Sequence, residues 1–527
     1  MALRHPVALV GAGVFAHNVC KVLEAGGVPV SFFVDEIKTG SYMGRPVISA
    51  RDLDAPRAAE TARFVVAISV AEYRRAAVER LLAAGVARDR IMPLTDDHVL
   101  PILGLVFQEF GDEAAAFFVS DGCRSVFDLE RRFFGDGWQA AVQALDPDLP
   151  TIAFCFFGRG GGFRRHLQGF IPGLRGKANL LALMDEKLAG EDYGIPELYM
   201  GPDTAARPGD WGVPRIDLCI TAHFLPCTPP DRPKLNVLHT SFDFILEAEW
   251  ILDRLETADP HYIFTSTRAT YEWMRDLITR RSLQNRVCLI PGGYTRLDRN
   301  LEEAKAYGGP VDSIIYAPTL SLNAVRHHEL TYSAPHAVAM LSALHEAFED
   351  LEIVFRPHPN DMALLQAGRD DELAQPFLDA LALCERLPRL KLDAGKTRYM
   401  ESYNRAHLMI SDTSSTAYTY ALSTLRPVVF FSPRDREVRE IFSRDSFFIR
   451  DRQRVGAVAE SVPQMVSQAR TMLTEAPRWR ERIAAYRAEV CFHMGETDHY
   501  FQESLADILA ERRNPDWLHL NWEESGE

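Results

Sequence analysis

The chain has 527 residues, 47% of them hydrophobic and 25% charged, a globular balance with material for about three domains. With 73 acidic against 58 basic residues the net charge is −15, which weighs against a surface built for nucleic acid. No apolar run reaches the ~18 residues needed to span a bilayer. The eight cysteines are scattered, with no Cys-x-x-Cys pair, so they read as reduced core residues of a cytoplasmic protein rather than a disulfide frame or zinc site.

The pattern of residues 1–95 alternates strand and helix. "PVALVGAG" is an apolar strand ending in glycines, "VFAHNVCKVLEAGG" has helical spacing, and "VPVSFFVDE" and "RFVVAIS" are further strands. Such alternation predicts a parallel sheet, a Rossmann-like domain. Residues 96–149 read as a helical connector, closed by "ALDPDLP". Residues 150–307 restart the alternation, with strands at "TIAFCFFG", "IDLCITA", "LNVLHTS", "YIFTST" and "VCLIPGG". Residues 308–490 repeat it at "SIIYAPTLS", "LEIVFRPHP", "HLMISDTSS" and "PVVFFS", and residues 491–527 read as a helical tail. The expected class is therefore α/β: an N-terminal Rossmann-like domain, then two α/β lobes facing a cleft.

Gly11, Gly13 and Ala16 fit a G-x-G-x-x-G/A turn between strand and helix, and Asp35 ends the next strand. Glycines let a phosphate approach the backbone, the helix start offers N–H groups, and an acid at Asp35 is placed to read a ribose hydroxyl. The alternative is a tight turn that binds nothing. "VALVGAG", "FFVDE", "GRPVISARDL" and "FVVAIS" resemble the nucleotide-sugar-binding N-terminal domain of bacterial sugar acyltransferases, without the β-helical domain that follows in those enzymes. The resemblance implies a sugar-nucleotide or dinucleotide pocket in residues 1–95, not acyl transfer.

In the last lobe, "FRPHPND" brings Arg356 and His358 to a strand's carboxyl end. A guanidinium is a planar, permanent cation suited to phosphate oxygens, and an imidazole can bond to a phosphate or protonate a leaving one. The alternative is an arginine paired with an acid. "LMISDTSSTAYTYALSTLRPVVFF" sets Asp412, Thr413, Ser414 and Ser415 between a strand and a helix. An N-cap needs one such side chain; the surplus of hydroxyls points to an anion at the helix start. His239 follows the strand "NVL" in the first lobe and is a candidate general base, or else a loop histidine. "GRGGGFRRHLQGFIPGLRGK" carries Arg159, Arg164, Arg165, Arg175 and Lys177 with no acid between them. That run suits an anionic acceptor or a membrane surface, or is a solvated basic face.

Taken together, "GGYTRLD", "IIYAPT", "FRPHP" and "ISDTSSTAYTYALSTLRPVVFF" resemble the CDP-glycerol glycerophosphotransferase family, the teichoic acid and capsule polymerase-like enzymes, over about residues 230–450. The resemblance implies a glycosyltransferase B fold and metal-independent transfer of a polyol phosphate from a CDP-linked donor to a hydroxyl. It further implies His239 as base, with Arg356, His358, Asp412, Ser414 and Ser415 holding the donor diphosphate. Two departures stand out: Leu238-His239-Thr240 replaces the family's Trp-His-Gly, and "LSLNAVRHHE" replaces the acidic stretch after "APT". Nucleotide-sugar glycosyltransferases, nucleotide-sugar 2-epimerases and a non-catalytic sugar-nucleotide sensor remain alternatives on the same architecture. The expected partners are a nucleotide-activated donor, a phosphate- or sugar-containing acceptor and a peripheral contact at the inner membrane face. No cofactor beyond the donor, no metal and no nucleic acid is expected.

Overall fold

The computed structural model describes the chain except residues 1–6, 54–60, 62, 158–163, 188–191, 214, 223–228, 230, 239–254, 256–259, 323–332, 396–397, 442–446 and 523–527. The fold is α/β, with three largely parallel sheets. The chain divides into two compact units, Met1–Asn236 with Thr257–His261, and Val237–Glu256 with Tyr262–Glu527.

In the first unit, β1 (Val7–Val10), β2 (Val30–Val34), β3 (Gly40–Tyr42), β4 (Arg45–Ile48), β5 (Arg63–Ala67) and β6 (Ile91–Leu94) form a sheet in the order β3-β4-β2-β1-β5-β6. All pairs are parallel except β3 with β4. β1 and β5 are buried at every position, as a parallel sheet covered on both faces requires. Helices Leu100–Phe118 and Val126–Gln143 form the connector, the second started by a capping box between Ser125 and Asp128. Then β7 (Thr151–Phe156), β8 (Asn179–Met184), β9 (Glu197–Tyr199), β10 (Leu218–Thr221) and β11 (Lys234–Val237) run in the order β11-β10-β7-β8-β9.

In the second unit, β12 (His261–Thr265) and β13 (Val287–Pro291) precede a sheet of β14 (Ser313–Tyr316), β15 (Glu352–Phe355), β16 (Leu390–Leu392), β17 (Ala406–Ser411), β18 (Val428–Phe431) and β19 (Gly456–Ala459). Its order is β16-β15-β14-β17-β18-β19, every pair parallel. Two clusters of buried side chains cover its faces, one around Met409, Tyr418 and Phe430, the other around Ile314, Phe355 and Leu408. The tail corrects one expectation. It is not helical throughout, because β20 (Leu518–Leu520) pairs antiparallel with β13.

Candidate functional site

The sheet of the second unit reverses its strand order beside β14: β15 and β16 lie on one side, β17 to β19 on the other. Ligands of open α/β sheets bind outside the carboxyl ends of strands at such a reversal. Tyr316 is in register with Phe355 and with Ile410, so the chains that follow leave the sheet side by side. Those chains carry Ala317–Thr319, Arg356–His358 and Asp412–Ser415. Arg356 and Ser411 thus stand two strand spacings apart, about 10 Å, a distance that a diphosphate with its flanking groups can bridge.

Arg356 is 8% exposed. Its Nη1 donates to Asp393 Oδ2 at 2.5 Å and its Nη2 to the Gly395 carbonyl at 2.8 Å. The pairing with an acid weighed above is therefore present, and Asp393, at the end of β16, fixes the plane of the guanidinium. His358 ends the same turn as the N-cap of the helix Pro359–Gln366, its Nδ1 accepting the Asn360 amide at 3.2 Å. That bond leaves the ring proton on Nε2, as a donor. Burial, with the Arg356 charge beside it, lowers the imidazole pKa to about 4, so the ring is neutral near pH 7. A neutral donor can bind a phosphate oxygen; it is not a ready source of a proton for a leaving group.

Asp412 has a different role from the diphosphate contact the sequence led us to expect. Its Oδ1 accepts the Thr319 amide at 2.9 Å, and its Oδ2 accepts the amide and the hydroxyl of Ser333, both at 2.8 Å. Both oxygens are occupied, and a carboxylate would repel a phosphate, so Asp412 positions the loop after β14. Asp361 holds the same loop through the amides of Ser321 and Leu322, each at 2.9 Å. Burial raises the Asp412 pKa to about 6 against the pull of these bonds. Thr413 and Ser415 are half-buried and Ser414 is buried, at the start of the helix Thr416–Thr424. The Ser414 hydroxyl accepts the Thr416 amide at 3.4 Å, and Ser415, the N-cap, makes no side-chain cap.

Arg296 joins this group, and the sequence analysis did not place it there. It lies in the first turn of the helix Thr295–Ala306, which follows β13. Its Nε donates to the Tyr399 hydroxyl at 2.9 Å, and its Cζ stands 4.8 Å from the Tyr399 ring centroid. The Arg356 Cζ is 5.9 Å from the same centroid. The signal was visible: "GGYTRLD" is a strand end with glycines running into a helix, the same grammar as the other motifs.

The glycine turn of the first unit is built as expected, but its acid is not free. Gly11 has φ +105°, and an added Cβ would stand 2.9 Å from the Ala67 carbonyl oxygen, so the turn requires glycine there. Gly13 is the N-cap of the helix Val14–Ala25, and Ala16, in the first turn of that helix, is fully buried. Asp35 is spent on the backbone: its Oδ2 accepts the Ala12 amide at 2.8 Å and its Oδ1 those of Ile37 and Lys38 at 2.9 Å. It braces the glycine turn instead of presenting a free carboxylate to a ribose. A cavity of about 660 Å³ opens beside the turn, lined by Gly11, Gly13, Asp35, Ile37, Tyr73 and Arg80 among others. Ile37 and Tyr73 are exposed at its mouth, 92% and 64%.

His239 and Arg159 lie outside the described residues. Arg164 and Arg165 begin a one-turn helix, Arg164–Leu167, whose backbone alone is described at those two positions.

No family model matches the chain, and no curated protein matches it. Solved structures do. The wall teichoic acid polymerase TagF matches at 14% identity, over 73% of this chain and 96% of its own, with a TM-score of 0.49. A variant of the O-GlcNAc transferase of Thermobaculum terrenum matches at 12% over 83% and 80%, TM-score 0.39. A glycosyltransferase from Rickettsia africae matches at 10% over 69% and 99%, TM-score 0.40. A teichoic acid polymerase therefore stands among the structures this chain is similar to, as the motifs led us to expect. At these scores the likeness carries no functional argument, and the case for function rests on the side chains.

Proposed function

We propose that this chain is a transferase that moves a glycerol phosphate-like group from a CDP-activated donor to a hydroxyl acceptor in the synthesis of a surface polymer or glycoconjugate. The observation that carries the reading is the meeting of Arg356, His358 and the Ser414–Thr416 helix start at the carboxyl edge of one sheet, beside its order reversal. A guanidinium, a neutral imidazole N–H and the amides and serine hydroxyls of a helix start are three kinds of donor for a diphosphate. The acceptor oxygen bonds to the donor's β-phosphorus, the bond from that phosphorus to the bridging oxygen breaks, and the nucleoside monophosphate leaves. In this reading the same donors would meet the bridging and α-phosphate oxygens and stabilise charge as it grows there. The acceptor proton goes to a base, for which the family resemblance nominates His239, and the basic run Arg159 to Lys177 is the proposed acceptor contact.

A second reading keeps the site and changes the donor to a nucleotide sugar. It is favoured by the replacement of the family's acidic stretch after "APT" with "LSLNAVRHHE".

For the first unit we propose a nucleotide or nucleotide-sugar ligand in the cavity at Gly11 and Gly13. Amides of the helix start would face its phosphate, and Ile37 and Tyr73 would flank an apolar body.

The test is to incubate the full chain with CDP-glycerol, UDP-sugars and GDP-sugars, each with glycerol phosphate- and sugar-containing acceptors, and to quantify the nucleotide released. CMP from CDP-glycerol supports the first reading. UDP or GDP from a sugar donor supports the second. Binding of such donors without release of any nucleotide favours a sensor and contradicts both.

A further inference from the structure

The group around Tyr399 carries more positive charge than its own acids neutralise. Arg296 and Arg356 both stand against that one ring, so their Cζ atoms are no more than about 11 Å apart. Only Arg356 has a carboxylate, Asp393. Arg296 bonds to the hydroxyls of Tyr399 and Tyr294, and no carboxylate among the described residues pairs with it. The Tyr399 hydroxyl donates to Asn300 Oδ1 at 2.5 Å, and Asn300 Nδ2, on a side chain 2% exposed, has no acceptor among the described residues. Two guanidinium groups and an orphan amide thus face one carboxylate. A buried donor without an acceptor, such as the Asn300 amide, is costly, and Arg296, half-buried, has hydroxyls but no carboxylate to meet its charge.

The group also reaches the helix start. The Tyr403 ring lies 5.0 Å from that of Tyr399, and the Tyr403 hydroxyl is bonded by the side chain of Thr416, first residue of the helix Thr416–Thr424. Both arginines act electrostatically on Tyr403. Arg296 therefore stands within one tyrosine pair of the amides proposed to hold the donor.

We infer that Arg296 is a second cationic ligand of the donor diphosphate, held in place by Tyr399 beside the same ring as Arg356. The inference rests on the proposed function for the existence of a diphosphate site and adds which phosphate-bearing ligands the site selects. Arg356, neutralised by Asp393, sets geometry, and Arg296 supplies the uncompensated charge. The site should accordingly prefer a diphosphate to a monophosphate and bind a bare nucleoside weakly. Tyr399 is a positioning residue, since it acts through Arg296.

The experiment is a calorimetric titration with CDP, UDP, CMP and cytidine of the full chain carrying Gly13→Asp, which fills the site proposed for the first unit, and of further variants in that background. For Arg296→Gln the expected result is a loss of at least tenfold in diphosphate affinity, a smaller loss for the monophosphate and no change for the nucleoside. Arg296→Lys, which keeps the charge and loses the fork, should recover part of the diphosphate affinity. It also keeps the test open if the glutamine variant does not fold. Tyr399→Phe, which keeps the ring and loses the hydroxyl, should weaken the diphosphate severalfold. Equal losses for cytidine and CDP would make Arg296 merely structural and overturn the inference. So would unchanged CDP affinity in Arg296→Gln. If the Gly13→Asp chain binds no diphosphate at all, the proposed function fails first and the inference falls with it.

Discussion

The carboxylate of Asp412 accepts both the amide and the hydroxyl of Ser333, each at 2.8 Å, while its other oxygen takes the Thr319 amide at 2.9 Å. One buried acid at the end of β17 thus fixes both ends of the segment that follows β14. Replacing it with asparagine puts an NH2 group against an N–H donor on one side. Asp412→Asn should lose about 1–3 kcal/mol at pH 7. The sign of its pH dependence follows from a folded pKa of about 6, above the ordinary value of 3.8. Between those values the folded chain holds a proton that the unfolded chain has released, so this group's contribution falls as pH rises through the window. Urea unfolding at pH 4 and pH 7 checks it: the difference between the two pH values should shrink in the variant.

Glu130 offers a cleaner test of the same physics. It is 1% exposed, accepts the Gly201 amide at 3.1 Å, and burial raises its pKa from 4.5 to about 8. At neutral pH it is a carboxylic acid, which glutamine imitates. Stability of the unaltered chain should fall between pH 4.5 and 8 by up to about 1.4 kcal/mol per pH unit from this group. Glu130→Gln should match the unaltered chain at pH 5 and exceed it at pH 8.5. An identical pH profile for the two would refute the assignment.

His358 combines an N-cap with the proposed phosphate contact, and two substitutions separate those roles. Asparagine keeps an acceptor for the Asn360 amide and loses the Nε2 donor; alanine loses both. His358→Asn should fold with stability within about 1 kcal/mol of the unaltered chain and bind diphosphate at least tenfold more weakly. His358→Ala should lose about 1 kcal/mol of stability as well. With a folded pKa near 4 against 6.5 unfolded, this residue's contribution is complete above pH 6.5 and is lost as pH falls towards 4.

Gly13 gives a prediction of opposed signs. An added side chain there meets nothing within 4 Å, and its φ of −96° suits any residue. Gly13→Asp should cap the helix Val14–Ala25 with its own carboxylate and raise stability by up to about 1 kcal/mol. The same carboxylate would occupy the amides proposed for a phosphate, so nucleotide binding to the first unit should fall. A rise in melting temperature with unchanged stoichiometry of nucleotide binding would remove the proposed site.

Periodicity made the strands of the site legible. Each of "IIYAPT", "FRPHP" and "ISDTSS" is an apolar run that stops at polar residues, and each is a buried strand ending at the carboxyl edge of the same sheet. Leu518–Leu520 carries too few residues for a period to show, and Gly456–Ala459, though as long as Ser313–Tyr316, is glycine and alanine around one valine and makes no bulky apolar run. What each polar side chain bonds to was not legible. The acid on Arg356 stands 37 residues further along the chain, and Ser333 stands 79 residues before Asp412. Such pairs are fixed by sheet order, which no local pattern encodes. Arg296 was visible at a strand end, but its claim to the site came from Tyr399, 103 residues away.

The most direct measurement is a calorimetric titration of the Gly13→Asp chain with CDP and UDP, with the parent nucleosides as uncharged controls, at low and at high salt. The account predicts one saturable diphosphate site, weakened by salt, with the nucleosides at least a hundredfold weaker. Equal affinity for nucleoside and diphosphate, or no binding of either diphosphate, would contradict a diphosphate cradle built from Arg356, His358 and the start of the helix Thr416–Thr424.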